Sequence, residues 1–182
     1  MAESQHQYVA LLRGINVGGH LIVKMAELRK LFGSFGLTDV ATYIQSGNVL
    51  FSTKDDNSKG LAQQLEKKLA SAFGCQMRVF VMSPAELKQA ADHNPFDPEH
   101  LGKEQQCYLM FLSAEPDAMH REALMARQGE AYQFHIHGKV LYYAYSREDS
   151  GSRRTIDFEK VLGVTGTARS WKVVNKLIEL SS

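Results

Sequence analysis

Cysteine is scarce in this chain of 182 residues: only Cys75 and Cys107 occur. Each lies in or beside an apolar segment, so the two read as buried thiols in a reducing compartment rather than as a disulfide framework. Neither has a base beside it in sequence, and burial would raise a thiol pKa, which argues against a nucleophile. An excess of charge of one sign is lacking as well. The formal net charge is +1, too balanced for a general nucleic-acid binder, so any basic patch must be local. No uninterrupted apolar run approaches transmembrane length, and residues 1–7 hold neither a basic nor an apolar targeting segment; the expectation is a soluble, cytoplasmic protein with no membrane partner. Nor does any stretch assemble a nucleophile–base pair, a metal cage or a cofactor fingerprint, so the residues leave any cofactor unknown and name no reaction. What is present is a hydrophobic content of 44%, enough at this length to bury a core without staples.

Residues 8–12 form a fully apolar run, expected as a strand buried on both faces. Met25, Leu28, Leu31, Phe32 and Phe35 recur at helical spacing, with Gly36 where a helix would stop. Runs 40–45 and 48–51 read as two strands around a tight turn at Ser46-Gly47. A second amphipathic helix carries Leu61, Leu65, Leu69, Ala72 and Phe73, and 77–82 is another strand. Ser83-Pro84-Ala85-Glu86 then makes a capping-box start for a helix running to about His93.

Asn94-Pro95-Phe96-Asp97-Pro98 is a turn, and there the chain is expected to divide into halves at 1–93 and 94–182. Beyond it, 107–112 is an apolar strand, 117–127 is helix-like, and 132–137 with 139–145 form a hairpin around Gly138. Helices are expected at 156–162 and at 168–180. Tyr8-Val9-Ala10-Leu11-Leu12 parallels Tyr108-Leu109-Met110-Phe111-Leu112, and Gly47-Asn48-Val49-Leu50-Phe51 parallels Gly138-Lys139-Val140-Leu141-Tyr142. The fold class expected is therefore α/β (α+β): two ferredoxin-like βαββα halves with mainly antiparallel sheets in one compact unit. The first half is longer between its first strand and its hairpin, and the extra length matches the loop 14–24. An insertion on one copy serves a site more readily than a common scaffold.

That loop is entered within Leu11-Leu12-Arg13-Gly14-Ile15-Asn16-Val17-Gly18-Gly19-His20, where an apolar run ends on a charge and three glycines follow. Glycines allow close backbone approach, and Arg13 and Lys24 at the loop edges favour an anion. A wide structural turn needing positive φ is the rival reading, and neither G-x-G-x-x-G nor a P-loop is matched. His135 and His137 alternate on one strand face but lack a third ligand nearby, so no metal is expected. Arg153-Arg154 sits in a polar loop and reads as solvated. Thr167 reads as the cap of a last helix whose first turn carries Arg169 and Trp171, a setting that favours an anion; Trp171, Val174, Leu177 and Ile178 equally make a core stripe.

These residues together resemble the domain-of-unknown-function 1697 family of small, mostly bacterial proteins. The resemblance runs almost end to end: Leu11 to Gly19 as quoted above, Met25-Ala26-Glu27-Leu28, Thr42-Tyr43-Ile44-Gln45-Ser46-Gly47-Asn48-Val49, Asn94-Pro95-Phe96, Leu162-Gly163-Val164-Thr165-Gly166-Thr167-Ala168-Arg169, Trp171 and Lys176-Leu177. Ser170 departs from it, standing where the pattern has asparagine. The resemblance implies a compact α/β fold and no established activity or cofactor. The leading expectation from the residues is binding of a small anionic or nucleotide-like ligand where the glycine-rich loop, the first hairpin turn and the start of the last helix meet. Arg13 and Arg169 would pair with the anion, Gly18, Gly19 and the loop backbone would cradle it, and Asn16, Ser46 and Asn48 would orient it. Lys24 and Trp171 complete the set, and His20 is its one candidate general base. Two rivals stand beside it: an RNA-binding module, disfavoured because strands apolar on both faces leave no open stacking platform, and a structural or protein-interaction role in which the patterned loop only maintains the fold.

Overall fold

A strand whose every side chain is apolar needs cover on both faces, and the first strand has it. In the computed structural model, which describes residues 5–16, 21–96, 105–129, 132–146 and 156–181, β1 (His6–Leu12) buries Tyr8, Ala10 and Leu12 on one face and Val9 and Leu11 on the other. The chain continues through α1 (Met25–Ser34), β2 (Thr38–Tyr43), β3 (Asn48–Thr53), α2 (Ser58–Phe73), β4 (Val79–Met82) and α3 (Pro84–Asp92). It then runs through β5 (Gln105–Leu112), α4 (Ala118–Met125), β6 (Tyr132–His137), β7 (Val140–Ser146), α5 (Phe158–Leu162), β8 (Gly166–Ser170) and α6 (Trp171–Leu180). The fold is mixed α/β with two four-stranded antiparallel sheets, ordered β2-β3-β1-β4 and β6-β7-β5-β8. Among the described residues, no helix is long and apolar enough to cross a membrane.

The chain forms two compact units, Met1–Lys88 with Lys176–Ser182, and Gln89–Asn175. In the first, α1 and α2 bury Leu28, Phe32, Leu61, Leu65 and Leu69 against Tyr8, Ala10, Leu12, Val49 and Phe51. Asn57 caps α2 by accepting from the Gly60 N–H at 3.0 Å, and Gly74 ends it at φ 68°. In the second, Leu124 and Leu162 close over Met110, Leu112, Phe134 and Leu141. Each sheet sets its first strand between the second strand of a hairpin and the last strand. Matching bonds close both arrangements: the Leu12 and Leu112 N–H groups donate to Gly47 and Lys139, each at 2.8 Å, and those of Arg13 and Ser113 donate to Arg78 and Thr165 at 3.0 and 2.8 Å.

The sequence parallel between the hairpins is off by one residue. Leu11 faces Asn48 and Phe111 faces Val140, so Gly47 corresponds to Lys139 rather than to Gly138. Strand side chains alternate faces, so the shift matters: Tyr143, not Tyr142, takes the place of Phe51 toward the helices.

Candidate functional site

The described residues of the loop after β1 are tied to one another and to the neighbouring turn. Arg13 and Gly14 are exposed, and Gly14 turns the chain at φ 75°. Ile15 then folds inward to 1% exposure and lies over Gly47. A Cβ on Gly47 would stand 2.8 Å from Ile15 Cδ1 and 2.9 Å from Leu12 Cβ, at φ 74°, so this turn closes under the loop only because glycine occupies it. Asn16 is bonded on both sides of its amide. Its Nδ2 donates to the carbonyls of Val23 at 3.0 Å and Gln45 at 2.7 Å, while its Oδ1 accepts from the Val23 N–H at 2.8 Å. Both amide hydrogens are thereby used.

Asn48, fully buried, donates from Nδ2 to the Tyr43 carbonyl at 3.0 Å and to Ser46 Oγ at 2.9 Å, closing the β2–β3 turn. Lys24 occupies the position before α1 in extended backbone, and the helix start has no side-chain cap. Its ammonium is exposed and lies 4.0 Å from Glu27. Arg13, Asn16, Lys24, Ser46 and Asn48 thus belong to the first unit. Gly18, Gly19 and His20 lie outside the described residues, as do Arg153 and Arg154.

Arg169 and Trp171 belong to the second unit, and here one expectation is overturned. Arg169 is not in the first turn of a helix: it lies on β8, and α6 begins at Trp171. The cause is long-range pairing, since Thr167 and Arg169 align with Phe111 and Leu109 of β5. Gly166 permits the approach, because a Cβ there would come within 2.6 Å of Met110 Cε and 2.9 Å of the Phe111 carbonyl. Thr167 and Arg169 share a buried face, and Arg169 Nη1 donates to Thr167 Oγ1 and to the Ala168 carbonyl, both at 2.8 Å. Burial lowers the guanidinium pKa to about 10. Trp171 is half-buried, whereas Val174 and Leu177 are fully buried along α6.

His135 and His137 are exposed on β6, and His93 stacks on His137 with ring centroids 4.3 Å apart. His93 Nδ1 meets the Gln89 carbonyl at 2.8 Å. Among the described residues, no three His, Cys, Asp or Glu side chains converge. Cys107 is buried and its thiol pKa is raised by that burial, while Cys75 is only half-buried; both are free thiols. Asn94 makes an Asx turn, its Oδ1 accepting from the Phe96 N–H at 3.2 Å.

Residues 6–142 match the family model described as protein of unknown function, DUF1697. The chain belongs to that family. It is also similar in structure to a conserved bacterial protein from Streptococcus pneumoniae, at 21% sequence identity and a TM-score of 0.76, with 98% of this chain and 100% of that chain covered. At that identity the likeness concerns the fold. No curated protein matches the chain. Several residues of the matched stretch have structural work here, Gly47 for close approach and Asn16, Asn48 and Asn94 for turns, and beyond it Gly166 allows close approach and Gly163 is the left-handed end of α5 at φ 67°.

Proposed function

We propose that this DUF1697 protein binds a small phosphate-bearing anion beside the β1–α1 loop of its first unit. The observation that carries the reading is the start of α1: a helix N-terminus without a side-chain cap, in the same loop system as two exposed cations, Arg13 and Lys24. Open N–H groups and the helix dipole favour an anion there, and guanidinium adds bidentate geometry. Asn16, Ser46 and Asn48 build the loop and turn in this reading instead of touching the ligand, Gly18, Gly19 and His20 are its remaining candidate contacts, and Arg169 and Trp171 serve the second unit. The recurring strand order further supports two ferredoxin-like halves, divided near Asn94, that arose by duplication. Scarce cysteine supports a cytoplasmic setting.

The number of pattern residues consumed by internal bonds favours one rival, a chain whose patterned loop only keeps the fold. Burial of both faces of β1 gives no support to an open RNA platform. Thermal shift with inorganic phosphate and with ATP separates the readings. A charge-assisted bond contributes roughly 1.5–3 kcal/mol, so Arg13→Ala or Lys24→Ala should remove most of the stabilisation. Arg169→Ala should lower the unliganded Tm and leave the shift intact. Absence of a shift with either probe, or an undiminished shift in Arg13→Ala, leaves the structural reading standing.

A further inference from the structure

The first unit contains a cavity that the loop site does not use. It has a volume of about 320 Å³ and lies against β1, β2 and β3 under the end of α6, near the small end of the roughly 300–1,000 Å³ typical of ligand pockets. Leu50, Ala41 and Leu180 give it apolar walls, and Gln7, Asp39 and Ser52 contribute polar groups. Ser52 is the unusual member. The residue is 3% exposed, yet its hydroxyl makes no hydrogen bond among the described residues. Fully closed-off polar atoms without a partner do not occur among the described residues, so this hydroxyl opens into the cavity. The neighbouring hydroxyls are occupied: Thr42 accepts from Arg29 at 2.6 Å, and Ser181 donates to the Leu177 carbonyl at 2.8 Å.

Asp39 sets the charge. It is the one charged side chain of the lining, and it forms no ion pair among the described residues. The β2–β3 register shifts between Thr38 and Ala41, and Asp39 sits in that irregularity at φ 51°. Bulges of this kind re-aim a side chain away from the regular strand alternation. A buried hydroxyl seeking a partner, an apolar wall and a carboxylate at the rim fit a short apolar body bearing a cationic donor.

We propose that this cavity is a binding site for a small alkylammonium, a protonated primary amine on a short apolar chain. Titration of the full chain with n-hexylamine, followed by amide chemical shifts, should give saturable changes confined to β1, β2, β3 and the end of α6. Hexanoate, of the same length and opposite charge, should give none. Asp39→Asn, which tolerates positive φ, should weaken hexylammonium binding about tenfold or more while leaving the response to hexan-1-ol unchanged. Equal binding of hexanoate, undiminished affinity in Asp39→Asn, or non-saturable shifts would each overturn the assignment. The loop site predicts none of these outcomes, so the two readings fail independently.

Discussion

Gly14 and Gly47 have nearly the same backbone, φ 75° and 74°, in different surroundings. A Cβ on Gly14 meets nothing within 4 Å, whereas one on Gly47 collides with Ile15 and Leu12. Gly14→Ala should therefore cost only the left-handed backbone, about 1–2 kcal/mol. Gly47→Ala adds overpacking of roughly 1–3 kcal/mol more, and truncating Ile15 in that background should return part of the loss. Urea denaturation of the single and double variants measures this; equal losses at the two glycines would mean that the Ile15 contact yields freely. The glycines and asparagines of the loop were legible as unusual residues. Their jobs were not, because Asn16 reaches a carbonyl 29 residues away, at Gln45, and no local pattern encodes such a bond. An amide that looks free to orient a ligand is indistinguishable in sequence from one already spent on the backbone.

The start of α3 was the best-read helix boundary. Ser83 and Glu86 form the expected box, with the Ser83 N–H donating to Glu86 Oε2 at 2.8 Å and the Glu86 N–H to Ser83 Oγ at 3.2 Å. The start of α4 adds a titratable cap. Asp117 accepts from the His120 N–H at 2.9 Å and meets the His120 ring Nδ1 at 2.8 Å, and these bonds, the backbone one foremost, hold its pKa below the usual carboxylate value. A lowered folded pKa stabilises above the unfolded value of about 3.9 and ceases to do so as pH falls through the folded one. Compared with Asp117→Asn, which caps without titrating, the native chain should melt higher at about pH 6 and lose that lead progressively as pH falls below about 4. A gap that stays constant would show that the carboxylate charge contributes nothing. Strand β8 was the element misread. Gly166-Thr167-Ala168-Arg169-Ser170 has no apolar alternation, and the helical periodicity beginning at Trp171 extends naturally backward over it; only pairing with β5 decides otherwise. The same dependence on distant partners hid the cavity, although Ser52, a polar residue in the otherwise apolar run 49–52, was a signal available in the sequence.

At the scale of the molecule, charge balance has a direct consequence for solution behaviour. The sequence pI is about 7.8, so net repulsion between copies vanishes slightly above neutrality. Solubility in a polyethylene glycol titration should pass through a minimum near that pH and rise on either side; a minimum displaced by more than about one unit would mean that folding has shifted several pKa values in one direction. The hairpin and the apolar first strand of each half were legible because each half carries its own apolar runs, while the place of β8 beside β5 and the division between units were less so. The first unit is discontinuous: it includes Lys176–Ser182 as well as Met1–Lys88. During synthesis its last segment leaves the ribosome only after the whole of the second unit has been made, a delay on the order of ten seconds at roughly 5–20 residues per second. Until then the nascent first unit lacks Leu180 and Ser181 over the cavity beside β1 and β3, leaving Leu50 without that cover in front of waiting chaperones and proteases.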